Sequence, residues 1–167
     1  MVPSIAFRGS LRGSIIRVDR VDRKILAELQ RDGRLTVTEL AERVQLSLSP
    51  CHRRLRALER SGAIAGYRAE LDAQALGLGF ECLVFVTMRE ADSRTVADFE
   101  REVAAIDNVV QAQRLFGDPD YLLRVLTRDL AGFQQLYDER LGALPGVQRL
   151  SSTLVMKTVV GHRPLPL

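Results

Sequence analysis

Cysteine and histidine are scarce in this 167-residue chain, with two of each. Cys51 and Cys82 share no CxxC or Cys/His metal spacing, so they make neither a disulfide framework nor a metal site. Each reads as a small buried hydrophobe of a reducing cytoplasm. The histidines, His52 and His162, lie in different halves of the chain. Motifs of nucleotide and hydrolase chemistry are missing too, with no GxGxxG, P-loop, GxSxG or HExxH. Asp118 and Asp120 begin like a calcium loop, but Leu122, Leu123 and Leu126 then fill positions that such a loop gives to polar residues or glycine. No apolar run approaches the length of a bilayer span. The remaining composition, 46% apolar and 27% charged, excludes disordered and fibrous classes and suits one domain or two small ones.

The charge is unevenly placed. Residues 1–72 hold 14 basic and 9 acidic side chains, whereas residues 73–167 hold 10 basic and 12 acidic. A basic front half joined to a mildly acidic back half suggests a polyanion-binding module coupled to a module with another partner. Residues 1–17 carry Arg8, Arg12 and Arg17 without an acid, and their apolar positions are too interrupted for a secretory signal. They read as a disordered extension.

Three short helices follow. Val18, Ile25, Leu26 and Leu29 form an apolar stripe that predicts a helix from Val18 to Arg31, closed at Asp32-Gly33 by a left-handed glycine. Thr36-Val37-Thr38-Glu39 is a capping box opening a second helix, whose inward residues are Leu40, Ala41 and Val44. Ser47 is the N-cap candidate of a third, with Pro50 tolerated in its first turn and Ser61-Gly62 ending it. A tight turn between the last two helices is the helix-turn-helix pattern. In the third helix Cys51, Leu55 and Leu58 face inward, and Ser49, His52, Arg53, Arg56 and Arg60 lie opposite, with Arg54 at the flank. That face is expected to read DNA: Ser49, His52 and Arg53 at base edges, Arg54, Arg56 and Arg60 mainly at phosphates.

Residues Ile64–Leu71 read as a β-segment, and Gly77 and Gly79 mark a boundary. Beyond it come a strand over Cys82–Met88, a helix over Thr95–Ile106, strands over Val109–Phe116 and Tyr121–Thr127, a helix capped by Asp129, and a last strand running from Gly146 to about Val160. The order βαββαβ is the ferredoxin-like plan, a four-stranded antiparallel sheet with both helices on one face. Cys82, Val84, Val86 and Met88 alternate with Leu83 and Phe85, so both faces of the first strand are apolar. The uncovered face is expected to pack on a second copy, with Val84, Val86, Leu123 and Val125 on or near the shared core.

These segments resemble one family. Asp19-Arg20-Val21-Asp22-Arg23-Lys24-Ile25-Leu26, Gln30-Arg31-Asp32-Gly33-Arg34, Ser49-Pro50-Cys51 and Gly62-Ala63-Ile64-Ala65-Gly66-Tyr67 are similar to the DNA-binding domain of the Lrp/AsnC, or feast/famine, transcription regulators. Gly117-Asp118-Pro119-Asp120-Tyr121 and Leu144-Pro145-Gly146-Val147 are similar to the effector domain of the same family. Departures are Leu48 at a position often proline, His52 and Arg53 at variable positions, and Pro119 and Thr153 where aromatics are frequent. The resemblance implies an α+β chain, an N-terminal winged-type helix-turn-helix domain followed by a ferredoxin-like βαββαβ effector domain. It also implies double-stranded DNA as partner, homodimers and higher oligomers such as octamers, no membrane and no cofactor. The effector is a small molecule, expected to be an amino acid, bound at Gly117, Asp118, Asp120, Leu130, Thr153, Leu154 and Val155. The compartment the resemblance implies is the prokaryotic cytoplasm.

The organisation expected from the sequence is thus a disordered extension at 1–17, a DNA-binding domain at 18–62 and a β-segment with linker at 63–79. An effector and oligomerisation domain follows at 80–160, with a tail at 161–167. Two alternatives stand beside the regulator: an architectural DNA-binding protein without ligand, and an enzyme like the tetrapyrrole decarboxylases that share this architecture. Residues 73–160 contain no histidine, which disfavours the second.

Overall fold

The computed structural model describes residues 17–89, 92–161 and 163–167. All of the expected extension except Arg17 lies outside the described residues, as does His162. The chain forms two compact units, dividing after Ala69 and again after Val159, so that the last residues rejoin the first unit.

The first unit is three helices: α1 (Arg20–Arg31), α2 (Val37–Val44) and α3 (Leu48–Ser61). Their inward stripes meet in a core of Ile25, Leu40, Ala41, Val44, Cys51, Leu55 and Leu58, all buried. Each fully buried Leu or Ile contributes about 1.5–3 kcal/mol of burial. The capping box at Thr36 and Glu39 forms as expected, and Gly62 closes α3 in the left-handed conformation.

Several expectations are corrected here. Helix α1 does not end on a left-handed Gly33: Asp32 is the C-cap, in extended conformation, and its own carboxylate makes the turn by accepting from the Arg34 amide. The segment Ile64–Leu71 is not a strand. A lone extended segment has no ladder to join, and the described residues supply no partner for it. Ala63 and Ile64 instead pack on the three-helix core, and Tyr67 donates its hydroxyl to Glu59, so the first unit reaches beyond residue 62. The tail is also ordered against this unit, where the Gln30 side-chain amide pairs with both the N–H and the C=O of Leu165.

The second unit contains β1 (Phe80–Met88), α4 (Ser93–Ala104), β2 (Val109–Arg114), β3 (Tyr121–Thr127), α5 (Leu130–Leu136) and β4 (Val147–Leu154), with a π-helical turn at Tyr137–Leu141 continuing α5. The strand order is β2-β3-β1-β4 and every pairing is antiparallel. The two central strands are the most apolar ones, because only they have neighbours on both edges. Strand β4 stops at Leu154 rather than near Val160. Among the described residues its only partner is β1, which reaches Leu154 at Cys82 and is nearly exhausted there.

Register assigns the faces. Cys82, Val84 and Val86 stand opposite Val125, Leu123 and Tyr121, and all six are buried beneath Phe99, Val103, Phe133 and Leu141. Val84, Val86, Leu123 and Val125 therefore belong to the helix-covered core and cannot line a contact with a second copy, contrary to expectation. The open face carries Leu83, Phe85, Leu122 and Arg124, which are only half-buried. Since side chains alternate strictly along a strand, a one-residue change of parity exchanges the two sets completely.

Gly146 shows how tightly this unit is closed. It adopts φ +73, and a Cβ built there would run into Thr95 Cγ2 and approach Met88 Cε. Gly62 adopts φ +79 with open space around it. Gly62→Ala is expected to cost only the left-handed backbone penalty, about 1–2 kcal/mol. Gly146→Ala adds a steric clash to that penalty and should cost clearly more, in the range of about 2–4 kcal/mol. Urea unfolding of the two variants, compared through their midpoints, measures the difference.

Candidate functional site

On α3 the apolar stripe Cys51, Leu55 and Leu58 is buried, whereas Ser49, His52, Arg53, Arg56 and Arg60 are all exposed. The helix begins at Leu48 after Ser47, whose side chain makes no capping hydrogen bond. Its first turn thus leaves backbone amides available beside Ser49. The arginines differ in their engagements. Arg56 bonds Glu59 at 3.0 Å and reaches His52 Nε2 at 3.5 Å. An exposed one-turn pair of this kind is weak and exchanges readily with a phosphate. Arg54 is placed otherwise. Its Nη1 lies 2.7 Å from Asp19 Oδ2 and 2.8 Å from Asp22 Oδ1, so it is paired across to the start of α1.

The residues expected to bind an effector fall into two groups. Gly117 (φ +135), Asp118 and Asp120 form the β2–β3 turn. The Asp120 amide donates to Val86 O at 2.9 Å, its carbonyl accepts from Leu115 N at 2.7 Å, and its carboxylate accepts from Met88 N at 2.7 Å. Asp120 therefore ties the turn to the end of β1, a structural duty that the sequence did not reveal. Asp118 is exposed and accepts from the Thr87 hydroxyl at 3.4 Å. Beside the turn, Phe116 is fully exposed, and Tyr121 is buried with its hydroxyl donating to Glu100 at 2.9 Å. Burial and then the Glu100 carboxylate push the Tyr121 phenol up to about 12.

Thr153, Leu154 and Val155 lie at the opposite end of β1, where Val155 N donates to Glu81 O at 3.0 Å. Leu130 is at that end too, because β3 closes with Thr127 opposite Phe80 and α5 starts directly afterwards. Val86 and Glu81 are five residues apart on one strand, roughly 17 Å. A single chain does not bring the two groups together. Thr153, Leu154 and Leu130 are exposed.

The open sheet face holds one further polar feature. Arg124 meets Glu81 in a two-point pair, Nε to Oε1 at 2.6 Å and Nη2 to Oε2 at 3.0 Å, beside Leu83 and Phe85. The Arg124 hydrogen bonds hold the Glu81 carboxyl below its ordinary value of 4.5. A carboxyl lowered by folding stabilises fully above that value, and its contribution disappears as pH falls through the folded-state value. The stability difference between wild type and Glu81→Gln should therefore be constant around neutral pH and shrink below pH 4.5. Urea midpoints measured across that range read it directly.

Comparison with known proteins identifies the two domains. The Lrp/AsnC ligand binding domain family matches residues 81–165, and the winged helix-turn-helix DNA-binding family matches residues 18–65. The Bkd operon transcriptional regulator of Pseudomonas aeruginosa is 37% identical over 90% of this chain and 98% of its own length. A leucine-responsive regulatory protein of Rhizobium meliloti is 39% identical over 86% of this chain and 92% of its own. A transcriptional regulator of Neisseria meningitidis, solved as its L-Met complex, is 37% identical and superposes with a TM-score of 0.85, covering 90% of this chain and 97% of that one. These relatives are regulators rather than enzymes, which sets the decarboxylase alternative aside. The helix-turn-helix domain implies DNA as a partner and the ligand binding domain a small-molecule effector. The chain belongs to the Lrp/AsnC family of transcriptional regulators.

Proposed function

We propose that this regulator binds specific DNA sequences in the prokaryotic cytoplasm and responds to an amino acid without any cofactor. It works as a homodimer, assembled further into an oligomer such as an octamer. One observation carries the DNA half: α3 buries Cys51, Leu55 and Leu58 while exposing Ser49, His52, Arg53, Arg56 and Arg60 along a single face. Ser49, His52 and Arg53 meet base edges and Arg56 and Arg60 meet phosphates, because residues in the first turns of a recognition helix enter the major groove first. Arg53→Ala is expected to cost about 1–3 kcal/mol and relax preference at one base pair. Arg56→Ala should weaken all sequences alike and flatten the salt dependence by about one. Gel shifts across a salt series separate the two.

An amino-acid effector is supported by the relatives, one solved as an L-Met complex and another named leucine-responsive. An α-amino acid needs an acceptor for its ammonium, donors for its carboxylate and an apolar wall. The Gly117–Asp120 turn offers carboxylates, whereas Leu130, Thr153, Leu154 and Val155 offer the wall and a hydroxyl. Since one chain holds these groups roughly 17 Å apart, the pocket forms where the turn of one copy meets the strand end of another. A thermal-shift screen of the twenty amino acids finds the ligand through the rise in melting temperature. Asp118→Ala and Thr153→Arg should each abolish that rise. Oligomers refolded from a mixture of the two variants should regain part of it, because some junctions then contain an intact turn and an intact strand end. A mixture as inert as its components would sink the shared pocket.

A further inference from the structure

Arg54 stands alone among the α3 arginines in pairing with a neighbouring helix of its own domain. At 100° per residue it lies about 40–60° from Leu58 and Cys51 on the helical wheel, at the edge of the buried stripe. The carboxylates that receive it are already in use. Asp19 caps α1, its Oδ1 accepting the Val21 and Asp22 amides at 2.8 Å each, and Asp22 Oδ2 accepts the Asp19 amide at 3.1 Å. The remaining oxygens, Asp19 Oδ2 and Asp22 Oδ1, both take Arg54 Nη1. The capping box of α1 is thereby also the anchor of α3.

The anchor supplies something that the apolar core does not. Cys51, Leu55 and Leu58 fix how closely α3 approaches its neighbours, but aliphatic contacts tolerate some rotation about the helix axis. Charge-assisted hydrogen bonds to two carboxylates on a neighbouring helix tolerate far less. A 20° rotation of α3 would move side-chain tips about 5–6 Å from its axis by about 2 Å, enough to take a base-reading group out of hydrogen-bond range. We propose that Arg54 is a positioning residue: held by Asp19 and Asp22, it sets the rotation at which α3 presents Ser49, His52 and Arg53 to DNA, and it does not itself neutralise a phosphate. The proposal rests on the DNA-reading role assigned to α3 above.

The two roles for Arg54 make opposite predictions, and the carboxylates tell them apart. The full-length protein is used first to enrich a duplex from a random pool. Affinity for that duplex and for a scrambled duplex of equal length is then measured across a salt series, each variant being scaled to its active fraction by stoichiometric titration. Arg54→Met should lose at least tenfold in affinity for the enriched duplex, with scrambled-duplex binding and salt slope unchanged. Asp22→Asn should do the same, although it removes a negative charge from the domain. The double variant should be no worse than either single one. Should the methionine variant fail to fold, Arg54→Lys serves instead: it keeps the charge but holds one carboxylate at a time, and should lose a smaller factor on the enriched duplex alone. Parallel weakening on both duplexes with a salt slope shallower by about one would make Arg54 a phosphate contact and overturn the proposal. Tighter or unchanged binding by Asp22→Asn would overturn it as well, since freeing the guanidinium would then have helped DNA. Affinities per active molecule equal to wild type in every variant would reduce the anchor to a purely structural one. A pool from which wild type enriches nothing would overturn the DNA-reading of α3 itself, and this assignment with it.

Discussion

A four-stranded sheet with its helices on one side has a second side that those helices cannot cover. In this protein β1 and β3 are apolar on both sides, so Val84, Val86, Leu123 and Val125 fill the covered layer while Leu83, Phe85 and Leu122 remain half-exposed around the Glu81–Arg124 pair. The pair matters physically because two charges set among apolar neighbours resist any partner that leaves them unmatched. A surface built this way favours association in one register over indiscriminate sticking. The half-buried Leu83, Phe85 and Leu122 and the exposed Phe116 share one property: the helices of this unit leave them uncovered.

The DNA-binding unit solves a different problem with fewer residues. Seven small or medium apolar side chains make its core, a modest burial for a domain that must present side chains at fixed positions. Polar contacts do the orienting. Capping boxes start α1 and α2, and the first of them also holds Arg54. The Arg54 charge on α3 is thus balanced within the domain, as the Arg56 charge is by Glu59. Net basicity of the front half therefore overstates how many cations are available to DNA.

Much of this was legible in the sequence, and the failures have identifiable causes. The caps at Thr36, Asp129 and Gly62 are local chemistry and were read correctly, as was β3 to the residue. Strand limits were not. The end of β4 is set by the length of β1, and Ile64–Leu71 alternates without any strand to pair with; both depend on partners far away in sequence. Face assignment failed for a related reason. When both parities of a strand are apolar, hydropathy cannot say which one the helices cover.

The site divides along the same line. That Ser49, His52, Arg53, Arg56 and Arg60 share an exposed face follows from helical spacing alone, and the structure agrees. The expectation that Arg54 meets phosphate rests on its place further along α3 and at the flank of the exposed face, and the Asp19-x-x-Asp22 spacing of a capping box is equally present in the sequence. What periodicity could not supply was that the two signals meet, since α1 and α3 are separate in sequence and touch only through tertiary packing. Asp120 carries the same lesson in the second unit. Its place in a turn was plain, but its bond to the Met88 amide exists only because β1 and β3 are neighbours. A residue can hold the fold through one carboxylate oxygen and still present its turn to a ligand, so the structural duty of Asp120 constrains the binding role proposed for it without excluding that role.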